Sequence, residues 1–395
     1  MKTKNILFSI DTMAMVFTSC KKEGCTDSTA DNYDVEADVD NNTCIYPEEQ
    51  APSVYNFSNV SYTGQTVRLL LLQALEAKME EAVTGHVTEA ELLAIYENTA
   101  GLYADVATDK NLSGKADANA DTQVRAWFTA IDTLSSAGMG YTTPNNLDLK
   151  QLVGKTLMGG VFFDQALDNY LAVVPNDDNS TVTDGKGTDM EHHFDEAFGY
   201  FGAMRTYNDH TDDENKSPGE SDANSDGSID PTSEKNFYFS ITAVKRDLNT
   251  ASLSGSDVTD YSKDLFDAFL NARYAISNNE YGDRDAAMEV IKESWQKIIA
   301  ATAVHYINDF TVDVNGGASQ VDINKHWAEM VAYFAILGYY SEATMTPAEI
   351  ATVLDLMGES PDDFTGNTAL LTNLETAKAS IKTAYGFTDA QANAF

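Results

Sequence analysis

From about Tyr62 to the C-terminus, apolar residues recur three and four positions apart, and strict alternation of apolar with polar residues is scarce. That periodicity predicts helices, placed at 67–82, 121–137, 149–171, 190–204, 261–275, 284–308, 323–340 and 370–384. Three further starts are marked by a hydroxyl residue followed three places later by Glu or Gln: Thr88/Glu91, Thr346/Glu349 and Thr388/Gln391. Such spacing lets side chain and backbone cap each other, and Pro347 suits the first helical position. Residues 236–242 (Asn-Phe-Tyr-Phe-Ser-Ile-Thr) are the one stretch where strand and helix readings are close. The expected fold class is all-α, a helical bundle.

The first 19 residues depart from this pattern. Lys2 and Lys4 precede a mostly apolar run from Ile6 to Phe17, interrupted by Asp11, and then Thr18-Ser19-Cys20. A basic start, an apolar run and a small residue before cysteine form a secretory signal layout that resembles the lipobox of bacterial lipoproteins. The resemblance implies cleavage before Cys20 and its acylation. No later run reaches the ~18 apolar residues of a spanning helix, so the expected attachment is a lipid anchor in the cell envelope, at the outer membrane on its periplasmic face or cell surface. Residues 25–44 (Cys-Thr-Asp…Ala-Asp-Asn-Tyr-Asp…Cys) resemble a short module of surface and secreted proteins of some Gram-negative bacteria. With Cys20 lipidated, Cys25 and Cys44 remain to pair in an oxidising compartment. Residues 20–52 are expected to form a spacer, with 53–395 as the helical body.

Charge removes one class of function. Against 62 Asp+Glu stand 25 Lys+Arg, a formal net charge of −37, which repels nucleic-acid backbones and anionic lipid surfaces. Part of the acid is concentrated in a polar insertion at 207–235. There Asp222, Asn224, Asp226, Ser228 and Asp230 place oxygens at the first, third, fifth, seventh and ninth positions, with Gly227 at the sixth. This is the spacing of an EF-hand-type calcium loop, except that Ser233 occupies the twelfth position unless Glu234 substitutes. Residues 109–117 are a looser echo. A solvated acidic loop is the competing reading.

The most informative feature is a repeat. His193-Phe194-x-Glu196-x-x-x-Tyr200-Phe201 matches His326-Trp327-x-Glu329-x-x-x-Tyr333-Phe334. One His-x-x-Glu follows easily from composition, whereas two with the same aromatic flanks point to two related helical halves. The preceding helices align with Lys155 opposite Lys297. Residues three apart on a helix share a face, so if the halves pack about a twofold axis, His193, Glu196, His326 and Glu329 converge as a two-nitrogen, two-oxygen site suited to zinc or iron. The same pairs serve equally well as satisfied polar pairs in a core.

A lipobox, an all-α body of two halves and a His-x-x-Glu helix resemble the imelysin-like, iron-regulated envelope proteins, and in particular the uncharacterised lipoproteins allied to them. Glu191 and Asn324 stand where the family motif has glycine. The resemblance implies an envelope protein that binds iron, another metal or a haem-type ligand, with an outer-membrane transporter as a partner in uptake. A calcium-stabilised structural or adhesive lipoprotein is the alternative. Metal-dependent hydrolysis ranks lower, because the chain has neither His-Glu-x-x-His nor Gly-x-Ser-x-Gly.

Overall fold

The structure is a computed structural model that describes residues 21–395 apart from 29, 31, 45–49, 250–252 and 365–366. The leader, Cys20 and Pro47 lie outside the described residues. The chain divides into two compact units, one ending at Gln50 and the other spanning Ala51–Phe395.

In the first unit, β1 (Glu23–Gly24) pairs in parallel with β2 (Val39–Asp40), and Cys25 is disulfide-bonded to Cys44. Closing that loop limits the unfolded chain, which a segment too small for its own core requires. Lys22 Nζ, 3.0 Å from Asp34 Oδ1 and from Glu36 Oε2, closes the same loop from the other side.

The second unit is all helical, in chain order α1 (Thr63–Glu81), α2 (Glu89–Tyr96), α3 (Ala118–Ser136), α4 (Leu149–Leu157), α5 (Asp189–Phe201), α6 (Asp212–Lys216), α7 (Tyr238–Val244), α8 (Tyr261–Asn278), α9 (Tyr281–Gly316), α10 (Gln320–Ile336), α11 (Pro347–Leu356), α12 (Thr368–Tyr385) and α13 (Asp389–Ala394). The capping boxes at Thr88, Thr346 and Thr388 are formed as the spacing predicts, and Thr188 with Glu191 forms another at the start of α5. The ambiguous stretch at 236–242 resolves as helix α7. Gly202 stops α5 three residues short of the expected end by turning left-handed, at φ 76°.

Helix α9 runs 36 residues, about 54 Å at 1.5 Å per residue, and α8 and α10 pack along it. Its Trp295 is fully buried at the centre of an aromatic core, with Phe163, Phe201, Phe239 and Phe269 at ring-centroid distances between 5.2 and 6.2 Å. The helix expected over 149–171 is helical throughout, but α4 gives way to wide π turns at Met158–Phe163 and Gln165–Leu171. Close packing accompanies the change: a side chain on Gly159 would stand 2.6 Å from the ring of Tyr339. The wide turns end at Tyr170 and Leu171, beside the first histidine motif.

Candidate functional site

Each histidine motif sits in the same constellation. His193 Nδ1 is 2.8 Å from Asp177 Oδ2, and His326 Nδ1 is 2.6 Å from Asp313 Oδ2. A carboxylate only accepts, so Nδ1 is assigned the proton and Nε2 keeps the lone pair. A tyrosine ring lies beside each imidazole, Tyr170 at 5.9 Å and Tyr306 at 5.8 Å. A second tyrosine stacks behind it, Tyr200 at 6.1 Å from Tyr170 and Tyr333 at 5.7 Å from Tyr306. Burial and the neighbouring Glu196 push the Tyr170 hydroxyl up to about 12, and burial, Tyr333 and Glu329 push Tyr306 upward as well.

The two halves are therefore related at a different register from the one the sequence suggested. Tyr170 and Asp177 correspond to Tyr306 and Asp313, so Lys155 is not the counterpart of Lys297. Tyrosine and aspartate seven residues apart precede each His-x-x-Glu, a signal that was present in the sequence. It is obscured because the second copy lies inside continuous α9, whereas the first crosses a π turn and a 3₁₀ turn at Val174–Asn176.

The two copies differ around their glutamates. Glu329 is buried, with Lys155 Nζ 3.6 Å from Oε1 and Lys325 Nζ 4.0 Å from Oε2. Burial pulls the Lys155 ammonium down, yet Tyr333, Glu329 and Glu76 together hold it above the usual lysine value. Glu196 instead accepts from the neutral Gln65 amide at 2.9 Å, and the His192 imidazole lies 3.9 Å from its other oxygen. Burial holds the His192 imidazole below its ordinary value. Glu196 lines a cleft of about 480 Å³ between the start of α1, the loop before α3, and α5; the His193 ring is not among its walls.

The expected shared centre is not assembled. Among the described residues, no side chain that bonds or stacks on one motif does so on the other. Among the described residues, no group of three or more His, Cys, Asp or Glu side chains is placed to hold a metal ion. A metal at either motif would find one protein nitrogen, on a histidine whose other nitrogen is tied to a carboxylate. That is the usual way a histidine ligand is oriented, and it suits a metal that arrives with most of its ligands already in place.

In the acidic insertion, the carboxylates turn onto the loop's own backbone: Asp222 accepts from the N–H of Asp226 and Gly227, and Asp226 accepts from that of Ser228. Asn224 Oδ1 accepts from the Asp226 N–H, and Asp230 caps Thr232. Glu234, 3% exposed, takes N–H bonds from Asn224 and Asp230 on its two oxygens. In the looser echo at 109–117, Asp117 is used to cap α3.

Among the described residues no helix is long and apolar enough to cross a membrane. No curated protein and no solved structure matches the chain. Residues 130–388 match a family described only as a domain of unknown function, DUF4856. That match spans both histidine motifs and most of the bundle, and the chain belongs to this family.

Proposed function

We propose that the protein is a lipid-anchored cell-envelope protein that binds an iron- or zinc-containing ligand, haem-type ligands included, through the imidazoles of His193 and His326. The observation that carries the reading is the duplicated carboxylate–histidine pair, kept in both halves although the surroundings differ. A single oriented nitrogen is what a haem iron or a metal chelate takes from a protein, whereas a bare ion needs more ligands than either site offers. The lipobox at Cys20 and the resemblance to imelysin-like lipoproteins favour a role in uptake alongside an outer-membrane transporter.

The test is an absorbance titration of the mature, untagged protein with haemin, together with metal analysis of the protein as purified. Saturable binding at two sites is expected, with the site at His193 lost in His193→Ala, the site at His326 lost in His326→Ala, both lost in the double variant, and the melting temperature unchanged. Variants that lose stability while the wild type binds neither haemin nor metal would reduce both motifs to core polar pairs. Separately, Cys20→Ala should move the protein from the membrane to the soluble fraction, and retention there without fatty-acid labelling of the wild type would sink the anchor.

A second reading, a calcium-stabilised structural or adhesive lipoprotein, is favoured by Glu234, whose buried carboxylate underlies the acidic loop from the thirteenth position.

A further inference from the structure

The cleft beside Glu196 has the opposite charge to the rest of the chain. Acidic residues outnumber basic ones by 62 to 25 overall, yet Arg68, Lys110, Lys115 and Lys186 line this one space against a single carboxylate, Glu196. None of the four has an ion-pair partner within 4 Å among the described residues, although carboxylates are abundant everywhere else. Arg68 spends its Nε on the Asn111 carbonyl and Nη1 on that of Gly64. Burial and then Arg68 push the Lys115 ammonium down, Glu196 opposes them in part, and Lys110 adds to the fall. Four cations against one carboxylate give the cleft a net positive charge inside a strongly acidic chain, which favours an anion there.

The backbone adds to the same field. Helix α1, 19 residues long, begins at Thr63 with no side-chain cap and no acid in its first turn. No side chain of the helix's own first turn offsets its leading N–H groups and positive dipole end, and Asp195 bonds instead to the N–H of Ser61, two residues ahead of the helix, at 3.3 Å. Two of the cations lie over that turn: a Cβ on Gly64 would be 3.1 Å from Lys110 Cε and 3.5 Å from Arg68 Nη1. Opposite them, Glu196 and Tyr170, both bonded by the Gln65 amide, offer oxygens that can take or give hydrogen bonds.

We propose that this cleft binds a small anion that also carries hydroxyl groups, a phosphate or carboxylate on a polyol. The anionic end lies against the α1 N-terminus and the four cations, and a hydroxyl donates to Glu196. A simple inorganic anion would satisfy the cations but would leave Glu196 facing another negative charge, so the hydroxylated ligand is favoured over it. The site does not depend on a metal at His193 and can stand or fall apart from the proposed function. Arg68, Lys110 and Lys115 precede the family match at 130–388, while Lys186 and Glu196 fall inside it, so the site is completed by the part of the chain outside the matched region.

The experiment is calorimetric titration of the full mature protein with glucose 6-phosphate, galacturonate, inorganic phosphate and glucose, at 50 mM and 500 mM NaCl. Saturable binding of glucose 6-phosphate or galacturonate is expected, weaker for phosphate, absent for glucose and weakened by salt. Lys115→Gln with Lys186→Gln should weaken it at least tenfold, since charge-assisted bonds are lost, without lowering the melting temperature. A structural role for these lysines would lower it. Vesicles of phosphatidylglycerol, offered to the Cys20→Ala protein, distinguish the source: binding to vesicles and to none of the soluble sugars assigns the anion to a lipid headgroup. His193→Ala with His326→Ala should leave anion binding intact while removing haemin binding, which separates the two readings. No saturable binding to any anion or vesicle, or equal binding by the double variant, overturns the proposal.

Discussion

At the scale of single residues, the body places several ionisable groups where burial and not pairing sets their charge. Asp247 is the clearest. Its Oδ1 accepts from the Ser262 N–H at 3.0 Å, while Oδ2 is buried with no hydrogen-bond partner. Burial, with Asp260 and Asp212 nearby, pushes the carboxyl up to about 7. A carboxyl whose folded value lies above its unfolded one favours folding when protonated, so the native state binds more protons between about pH 4 and pH 7 and stability falls as pH rises through that window. Asp247→Asn keeps an acceptor for Ser262 and removes the charge. At pH 8 the variant should be more stable than the wild type by on the order of 2 kcal/mol, discounted from the ~1.4 kcal/mol per unit of the full shift for partial solvent access. The gain should vanish near pH 4. Urea melts at the two pH values check it, and a variant less stable at pH 8 would show that the ionised carboxylate is held by a favourable contact. Asp195 tells a related story. Although it touches Arg273 at 2.9 Å and takes the Tyr55 hydroxyl at 2.8 Å, burial still lifts it to about 6. An ion pair with both partners buried does not by itself return a carboxyl to its ordinary value.

At the scale of elements, what could be read along the chain follows from which forces are local. Helix starts were legible because a cap is a contact between residues three apart: Thr88, Thr346 and Thr388 form the predicted boxes. Ends were less so. Helix α9 extends from Tyr281 to Gly316, well past the expected 284–308, because α8 and α10 pack along it and the left-handed Gly317 is what ends it. The candidate site divides in the same way. Each His-x-x-Glu was visible, but the partners that define its chemistry, Asp177 and Asp313 for the imidazoles, Gln65 and Lys155 for the glutamates, come from other segments. The π turns could not be foreseen either, since they arise where Gly160 lets the chain approach α3: its carbonyl accepts from the Asp117 N–H at 2.7 Å, and a Cβ there would collide with that of Ala120. Gly160→Ala should therefore destabilise the protein by about 1–3 kcal/mol, the usual cost of overpacking, despite alanine's better helix propensity. A urea midpoint at or above that of the wild type would mean that the turn is set by something other than this contact.

At the scale of the whole molecule, the formal charge of −37 sets the background against which any cation effect must be judged. Self-repulsion of that size is relieved by any salt, so added calcium would raise stability somewhat even without a site. The acidic insertion predicts more than that. Ser225 and Gly227 take positive φ, 61° and 86°, which turns the loop so that Asp222 and Asn224 both accept from the Asp226 N–H. Beneath them Glu234 is tied to both limbs of the loop. If calcium replaces those N–H bonds as the carboxylates' partner, a ligand bound only by the folded state stabilises it by about 2.7 kcal/mol at a hundred times its dissociation constant. For a body of this size, that is a rise in melting temperature of roughly 5 °C. Sodium chloride at matched ionic strength should give a much smaller rise, and Glu234→Gln should remove the calcium-specific part while leaving the salt effect untouched. Equal responses to calcium and sodium, or a calcium rise that survives Glu234→Gln, would assign the effect to screening of the surface and leave the loop without a cation.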